Sequence, residues 1–405
     1  MQCRVCPEQI SPVISFGKMP IANNFKSSNT IEDYRFELAT GFCEYCALFQ
    51  IIEQPDPNMM FHSEYPFFTG LSSSMVAHFR QVAEQFIGEL KSTNSKPFIV
   101  EVGCNDGTFL TNFVQAEIRH LGVDPSKNVV ELAKTKGVNC LNVFFGKQTA
   151  LQILEDYGPA DIIFAANVIC HLPNLEDFAQ GIETLLSKSG KFVFEEPYVG
   201  SMVEKTSFDQ VYDEHVFIFG VSSVARIFSR YGLELVDADY QETHGGSMRY
   251  TIRHHGVTVK SKRLEELEVK EKEAGLLDLV TFNDFAKKCA VKKQELLFLL
   301  RQLKQNGKRV AGYAATSKST TVLNYCGIDS SLIEFIVDST PEKQGTFTPG
   351  SHIPIISDND PRIKEIDYFV LFAWNHQREI ITKENAKGNS DFNWISFVPD
   401  VEIVK

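Results

Sequence analysis

Cys3-Arg-Val-Cys6 and Cys43-Glu-Tyr-Cys46 are two C-x2-C pairs. That spacing lets both thiolates of a pair reach one ion, and four soft ligands suit tetrahedral zinc. With every position filled by protein there is no place for an activated water, so the single zinc ion expected of Cys3, Cys6, Cys43 and Cys46 is structural. A second constellation runs Phe98-Ile-Val-Glu101-Val-Gly103-Cys-Asn105-Asp106-Gly107-Thr-Phe-Leu, which reads as a buried strand, a tight turn and a helix. Gly103 and Gly107 permit the turn and a close approach of backbone to ligand. The spacing is not G-x-G-x-x-G, and the missing middle glycine weakens a dinucleotide reading. One helix later Leu121-Gly-Val-Asp124-Pro ends the next strand and puts a carboxylate where a ribose offers its two hydroxyls. A third cluster, Val211-Tyr212-Asp213-Glu214-His215, sets a side chain that exchanges protons near neutral pH beside a phenol and two carboxylates. A lone histidine is often only a structural one, so this cluster needs its neighbours to acquire meaning.

The elements that must hold these groups are legible as alternation. Short apolar runs at Pro97–Val102, Ile118–Val123, Asp161–Ala165 and Lys191–Glu195 are separated by helical patterns, which predicts a mostly parallel sheet covered by helices. A helix over Ser72–Leu90 leads into it behind capping serines. Gly246–Arg253 reads as a strand, and the mixed charges of Val259–Glu273 as an exposed helix near a domain junction. Beyond it, the helical Val291–Lys304 and the strand-like Arg309–Ala315, Ile333–Val337 and Tyr368–Phe372 make a second α/β unit. The first sixty residues fit neither a long helix nor a regular sheet and call for a staple. The resulting division is 1–70, 71–258 and 259–405. With 405 residues, 43% of them apolar, two or three cores are expected. A net charge of -12 without a Lys/Arg cluster argues against nucleic acid. No apolar run has the length of a signal peptide or a membrane span, so a cytoplasmic protein is expected. The other five cysteines, Cys104, Cys140, Cys170, Cys289 and Cys326, lie singly, as reduced intracellular thiols do.

Taken together and in this order, the Glu101–Gly107 turn and Asp124 resemble the class I S-adenosylmethionine methyltransferases. The resemblance implies that Glu101, Gly103, Asn105, Asp106 and Gly107 meet the methionine end of the donor, that Asp124 binds its ribose, and that Asn167 occupies the matching position after the fourth strand. The implied fold is α/β: a class I methyltransferase Rossmann-like domain, with the four-cysteine zinc module in front and a second Rossmann-like α/β domain behind. Tyr212-Asp-Glu-His215 after Phe194-Glu-Glu-Pro-Tyr198 is similar to the sugar C-methyltransferases of deoxysugar biosynthesis. So are Glu64-Tyr65, His244-Gly-Gly-Ser-Met-Arg249-Tyr, Tyr325-Cys-Gly-Ile328 and Asp338–Gly345. This second resemblance covers essentially the whole chain. It implies methyl transfer to C-3 of a nucleotide-diphosphate 4-keto-6-deoxy sugar lying between the central and C-terminal domains. Thymidine or guanosine is the expected base of the nucleotide.

Carbon next to a ketone becomes a nucleophile only when its proton leaves and the charge flows onto the carbonyl oxygen. His215 is the candidate base. Tyr212 and His171 are candidates for polarising the C-4 oxygen, while Glu214 orients His215 or binds a sugar hydroxyl or amino group. Tyr65, His244 and Arg249 are expected at the substrate. Lys318, in the hydroxyl-rich turn Thr316–Thr321, either meets the diphosphate or is an exposed lysine on a capped helix, and the turn lacks the glycine of an Ala-Lys-Gly form. Methylation of oxygen or nitrogen would share the donor site without needing the base and oxyanion pair, and a zinc-ribbon interaction protein would have lost the donor. The chain is expected to be a monomer or a homodimer.

Overall fold

A computed structural model describes the chain except residues 29, 31, 57–58, 61–67, 94 and 405, so Tyr65 and Glu64 lie outside the described residues. At the N-terminus β1 (Ser11–Pro20), β2 (Arg35–Cys43) and β3 (Leu48–Ile51) form an antiparallel ribbon. This corrects the expectation of a segment without a regular sheet. The cause is local: register breaks between Pro12 and Ile14 and between Ser15 and Lys18 disturb the two-residue alternation by which a strand is recognised.

A helix over Ser73–Thr93 leads to β4 (Phe98–Val102), whose five residues are all buried, as an interior parallel strand requires. The chain then lays down β5 (Arg119–Val123), β6 (Cys140–Leu141), β7 (Ala160–Ala166) and β8 (Leu186–Pro197). A two-residue strand, β9 (Phe217–Ile218), leaves this body and pairs with β3, so the N-terminal sheet ends on a piece of the central domain. β10 (Leu233–Gln241) and β11 (Ser247–His254) complete the central sheet. Its order is β10-β11-β8-β7-β4-β5-β6, with β11 antiparallel to β8. Counted along its own strands from the β6 edge, that is 3-2-1-4-5-7-6, the class I methyltransferase arrangement. The order reverses between β4 and β7, and the crevice at the carboxyl ends of those two strands is where such a sheet takes its ligand.

The charged helix Lys262–Glu273 is not wholly exposed. It packs along β10 through Arg263, which bonds Asp237 and Asp239, and its Glu271 is buried and accepts the backbone N–H groups of Val221 and Ser222. The next helix, Leu279–Gln305, starts earlier than its periodicity suggests because Phe282 stacks on Phe42 of β2, centroids 4.2 Å apart. The last sheet holds β12 (Val310–Tyr313), β13 (Ile336–Asp338), β14 (Ile355–Ser357), β15 (Tyr368–Leu371), β16 (Asn393–Ser396) and β17 (Glu402–Val404). They are ordered β14-β13-β12-β15-β16-β17 and are parallel except for β17. Among the described residues no helix is long and apolar enough to cross a membrane.

Candidate active site and zinc centre

The four paired cysteines converge. Their sulfurs all lie within 4.8 Å of one another, and Cys6 and Cys43 are 3.6 Å apart. A tetrahedron with Zn–S bonds of about 2.3 Å has sulfurs about 3.8 Å apart, so the set fits zinc. The surroundings suit thiolates as well. Val5 N and Gln50 Nε2 donate to Cys3 Sγ at 3.4 and 3.2 Å, Cys46 N donates to Cys43 Sγ at 3.4 Å, and Arg230 reaches Cys46 Sγ at 3.6 Å. No other residue is needed as a ligand.

The donor turn begins where β4 ends. Gly103 has φ +71°, and a Cβ there would lie 2.2 Å from Val168. Gly107, at φ +74°, faces Ala133 and Val138 at 3.0 and 2.9 Å in the same sense. Both glycines are therefore demanded by backbone sign and by room. Glu101 is buried against the turn, its Oε2 without a partner, and burial drives its carboxyl well above the carboxylate range, with Cys140, Asp106 and Asp124 adding to the shift. It lines a cavity of about 20 Å³ together with Thr69, Phe79, Gly103, Asn105 and Ala166. A buried carboxyl with an open oxygen, which an ammonium beside it would return to the ionised form, suits the methionine moiety, so the residues present fit the donor.

Asp124 accepts Asn105 N at 3.0 Å and Ser126 N at 2.8 Å, and the Ser126 side chain is a further partner, so the carboxylate is fixed at the end of β5 where a ribose would meet it. Asp106 differs from expectation: its carboxylate accepts Gly70 N, Thr108 N and Thr108 Oγ1 and pairs with Lys136 at 3.1 Å, so it builds the turn and has nothing left for a ligand. Asn167, at φ 54° beyond β7, joins its Nδ2 to His244 Nε2 at 3.0 Å. A donor-side and a substrate-side candidate are thus in direct contact. One loop was missed in sequence. At the end of β6, Asn142 Nδ2 donates to Asp124 O at 3.0 Å, and Val143 and Phe144 beside it are exposed, next to where the base of an adenosine held by Asp124 would come. Exposed apolar residues in a polar turn were the available signal.

The segment Gln210–His215 is buried throughout. His215 Nδ1 is 2.7 Å from Gln210 O, and since a carbonyl only accepts, Nδ1 carries the proton. Nε2 is then the lone pair, and Tyr212 Oη donates to it at 2.7 Å. Burial, then the neighbouring His171 and Lys318, hold His215 well below the usual imidazole value, and burial holds His171 at about 4. Both rings are neutral at physiological pH and stack with centroids 5.4 Å apart. His171 sits on a turn that Glu196 fixes by accepting the N–H groups of Val168, Ile169 and Cys170.

Arg249 does not reach into the site freely. Its Nε bonds Glu195 at 2.6 Å and its Nη2 bonds Gln241, while His78 takes the other oxygen of Glu195. Burial, which raises Glu195, is outweighed by His78 and Arg249, so this carboxylate stays ionised. Lys318 is not an exposed lysine. Its Nζ is buried without a hydrogen-bond partner among the described residues, 5.7 Å above the Trp374 ring, and burial lowers it while Asp209 supports its charge. Trp374 Nε1 in turn donates to Asp209 at 2.7 Å, and Gln210 Nε2 donates to His244 O at 2.8 Å. Asp209, Gln210, Glu196 and Trp374 were missed in sequence because nothing in their spacing separates them from ordinary core polar groups.

The seven-stranded order, the paired glycines and the open Glu101 define a class I S-adenosylmethionine-dependent methyltransferase. Three family models match in chain order: "Putative zinc binding domain" over 3–61, "Methyltransferase domain" over 76–238 and "C-methyltransferase C-terminal domain" over 242–399. The chain is 28% identical, over its whole length and 96% of the relative, to "C-methyltransferase NovU" of Streptomyces niveus. It is accordingly an S-adenosylmethionine-dependent C-methyltransferase with a zinc-binding domain in front. Solved structures it resembles include a magnesium protoporphyrin IX methyltransferase of Synechocystis (TM-score 0.32, 15% identity, 44% of this chain and 81% of that one). Another is an S-adenosylmethionine-dependent methyltransferase of Anabaena variabilis (0.35, 18%, 50% and 98%). At those scores they add nothing to the topology itself.

Proposed function

We propose that the protein methylates C-3 of a nucleotide-diphosphate 4-keto-6-deoxy sugar through an enolate, with His215 as the base. The observation that carries this is the neutral imidazole whose proton is fixed on Nδ1 by a carbonyl and whose Nε2 faces a phenol. A carbon acid needs such a base paired with a donor to the enolate oxygen, whereas an oxygen or nitrogen nucleophile forms no enolate and does not need the pair. In the resting site the Tyr212 hydroxyl covers Nε2. Movement of that hydroxyl onto the C-4 oxygen frees the lone pair to take the C-3 proton and supplies a donor to the oxyanion at once. His171 is the second donor candidate. When bound, S-adenosylmethionine supplies an electrophilic methyl group, and Glu101 and Asp124 hold its two ends. Lys318, whose Nζ is buried without a hydrogen-bond partner among the described residues, is assigned to an anion brought by the substrate, the diphosphate. His244 carries donor-side geometry to the substrate side through Asn167.

The test is mass-spectrometric screening of thymidine-, guanosine- and cytidine-diphosphate 4-keto sugars for a product heavier by one methyl in place of hydrogen. C-5 flanks the same ketone, so the carbon that receives the methyl is read by NMR. Methylation of oxygen or nitrogen, or at C-5, would overturn the proposal.

A further inference from the structure

Between β1 and β2 the chain leaves the zinc module and passes through the site. Ile21 and Ala22 are almost fully buried. Ala22 N donates to both oxygens of Asp213 at 3.2 Å, and Ala22 O accepts from Thr320 Oγ1 at 2.9 Å. Asn23 follows, with Nδ2 donating to Glu214 Oε1 at 2.6 Å and Oδ1 accepting from Ser317 Oγ at 2.9 Å. Its amide is therefore held from both sides and cannot turn its oxygen to the carboxylate without losing both bonds. The far end of the cluster is tied down too: Thr321 Oγ1 donates to Val211 O at 2.8 Å, and Ile51 N of β3 donates to Val216 O at 2.9 Å. Glu214 is 2% exposed, one residue from the base, and fixed by an amide that belongs to another domain.

We propose that Asn23 is a positioning residue for Glu214, so that the N-terminal zinc module supplies part of the active site and not only a scaffold. The inference rests on the reading of Tyr212–His215 as the site of deprotonation. Asn23 acts on Glu214 by holding its orientation and by stabilising its anion. Burial raises Glu214 to about 8, with neighbouring Asp213 adding and Asn23 opposing, and burial raises Asp213 to about 7. Among the described residues Cys170, whose thiol burial keeps protonated, also acts on Glu214, and His215, next to it in sequence, is neutral. Removing the Asn23 donor shifts Glu214 further up, and so moves any limb of the pH–rate profile that Glu214 sets to higher pH, whichever protonation state works.

The experiment uses the full-length zinc-loaded chain with ¹³C-labelled glutamate carboxyls, the Glu214 signal assigned by its loss in Glu214→Gln. In Asn23→Ala the Glu214 titration is expected to move up by about one pH unit, and in Asn23→Asp by more, because a like charge replaces a donor. Methyl transfer to thymidine-diphosphate 4-keto-6-deoxyglucose or its guanosine counterpart, whichever is turned over, is expected to fall about tenfold in Asn23→Ala. The same change made in Glu214→Gln is expected to cost nearly nothing further. Zinc content and melting temperature stay at the parent's values. An unmoved Glu214 titration in a folded variant, or full additivity of the two substitutions, overturns the proposal. Activity surviving in His215→Asn overturns instead the reading of the base, and the Glu214 titration then still decides for or against Asn23 by itself.

Discussion

Replacing Tyr212 with Phe separates two jobs that the phenol holds at different moments. At rest its hydroxyl donates to His215 Nε2 at 2.7 Å, so the base is covered and that bond must break before C-3 can be deprotonated. A net value of about 1 kcal/mol for such a neutral bond is about fivefold in rate, which the variant recovers. Against this gain stands the loss of a donor to the developing oxyanion, ~10²–10³-fold. The expected balance is a fall of roughly 20- to 200-fold. The assay is NMR of thymidine-diphosphate 4-keto-6-deoxyglucose in deuterated water, with S-adenosylhomocysteine replacing the donor so that only hydrogen exchange at C-3 is read. Methyl transfer, measured separately with the donor present, should fall by a similar factor because both reactions pass through one enolate. Donor affinity should not change. Exchange as fast in Tyr212→Phe as in the parent would refute the reasoning and leave His171 as the partner of the oxygen.

His215→Asn should abolish that exchange while calorimetry still finds the donor bound; exchange that persists assigns the base elsewhere. Asp124→Asn should weaken donor binding by about 1.5–3 kcal/mol for each ribose hydrogen bond lost, and unchanged affinity defeats the placement. Metal analysis should find one zinc per chain, and Cys43→Ser should unfold the N-terminal module at a lower temperature than the rest. The pH profile is the fourth check. A base whose value is depressed in the folded state loses its neutral form only as pH falls through that depressed value. Burial holds His215 well below 6.5 and His171 near 4, so no histidine limb of kcat/KM should appear near 6.5; a limb there that persists in Glu214→Gln and in Asp213→Asn contradicts the neutral pair.

Parallel interior strands announce themselves, because a run such as Phe98–Val102 is apolar whichever way it faces. The donor turn was legible for a related reason: Gly103 and Gly107 answer local backbone demands that are written locally. β1 was not legible, since two register breaks remove the alternation that betrays a strand. Side-chain roles were legible only where no other group competed for them. Asp106 and Arg249 have the right types in the right places, yet Lys136 with three local donors engages the first and Glu195 with Gln241 the second. Asn23 could not have been found, because its meaning lies in a carboxylate 191 residues away.

The same distance explains why a structural metal sits on an enzyme that forms a carbon–carbon bond. The proposed catalytic segment Val211–His215 has no long element of its own. Its carbonyls and carboxylates are held by Ala22, Asn23 and Thr321, Ile51 N takes the next carbonyl, Val216 O, and the chain continues directly into β9 on the edge of the zinc module's sheet. Gln50 is the shared member. Its backbone pairs with Phe217 of β9, and its side chain donates to the Cys3 sulfur and accepts from Arg4 N. A neutral histidine, two carboxylates and a lysine can be kept buried side by side only if each is fixed, since a loosened group would hydrate and return toward its ordinary protonation. Three domains meeting on one five-residue segment supply that fixation. The Cys3 thiol, Gln50 and Ile51 of β3 and the segment that carries His215 therefore form one continuous chain of contacts, and release of the metal is expected to loosen the surroundings of the proposed base.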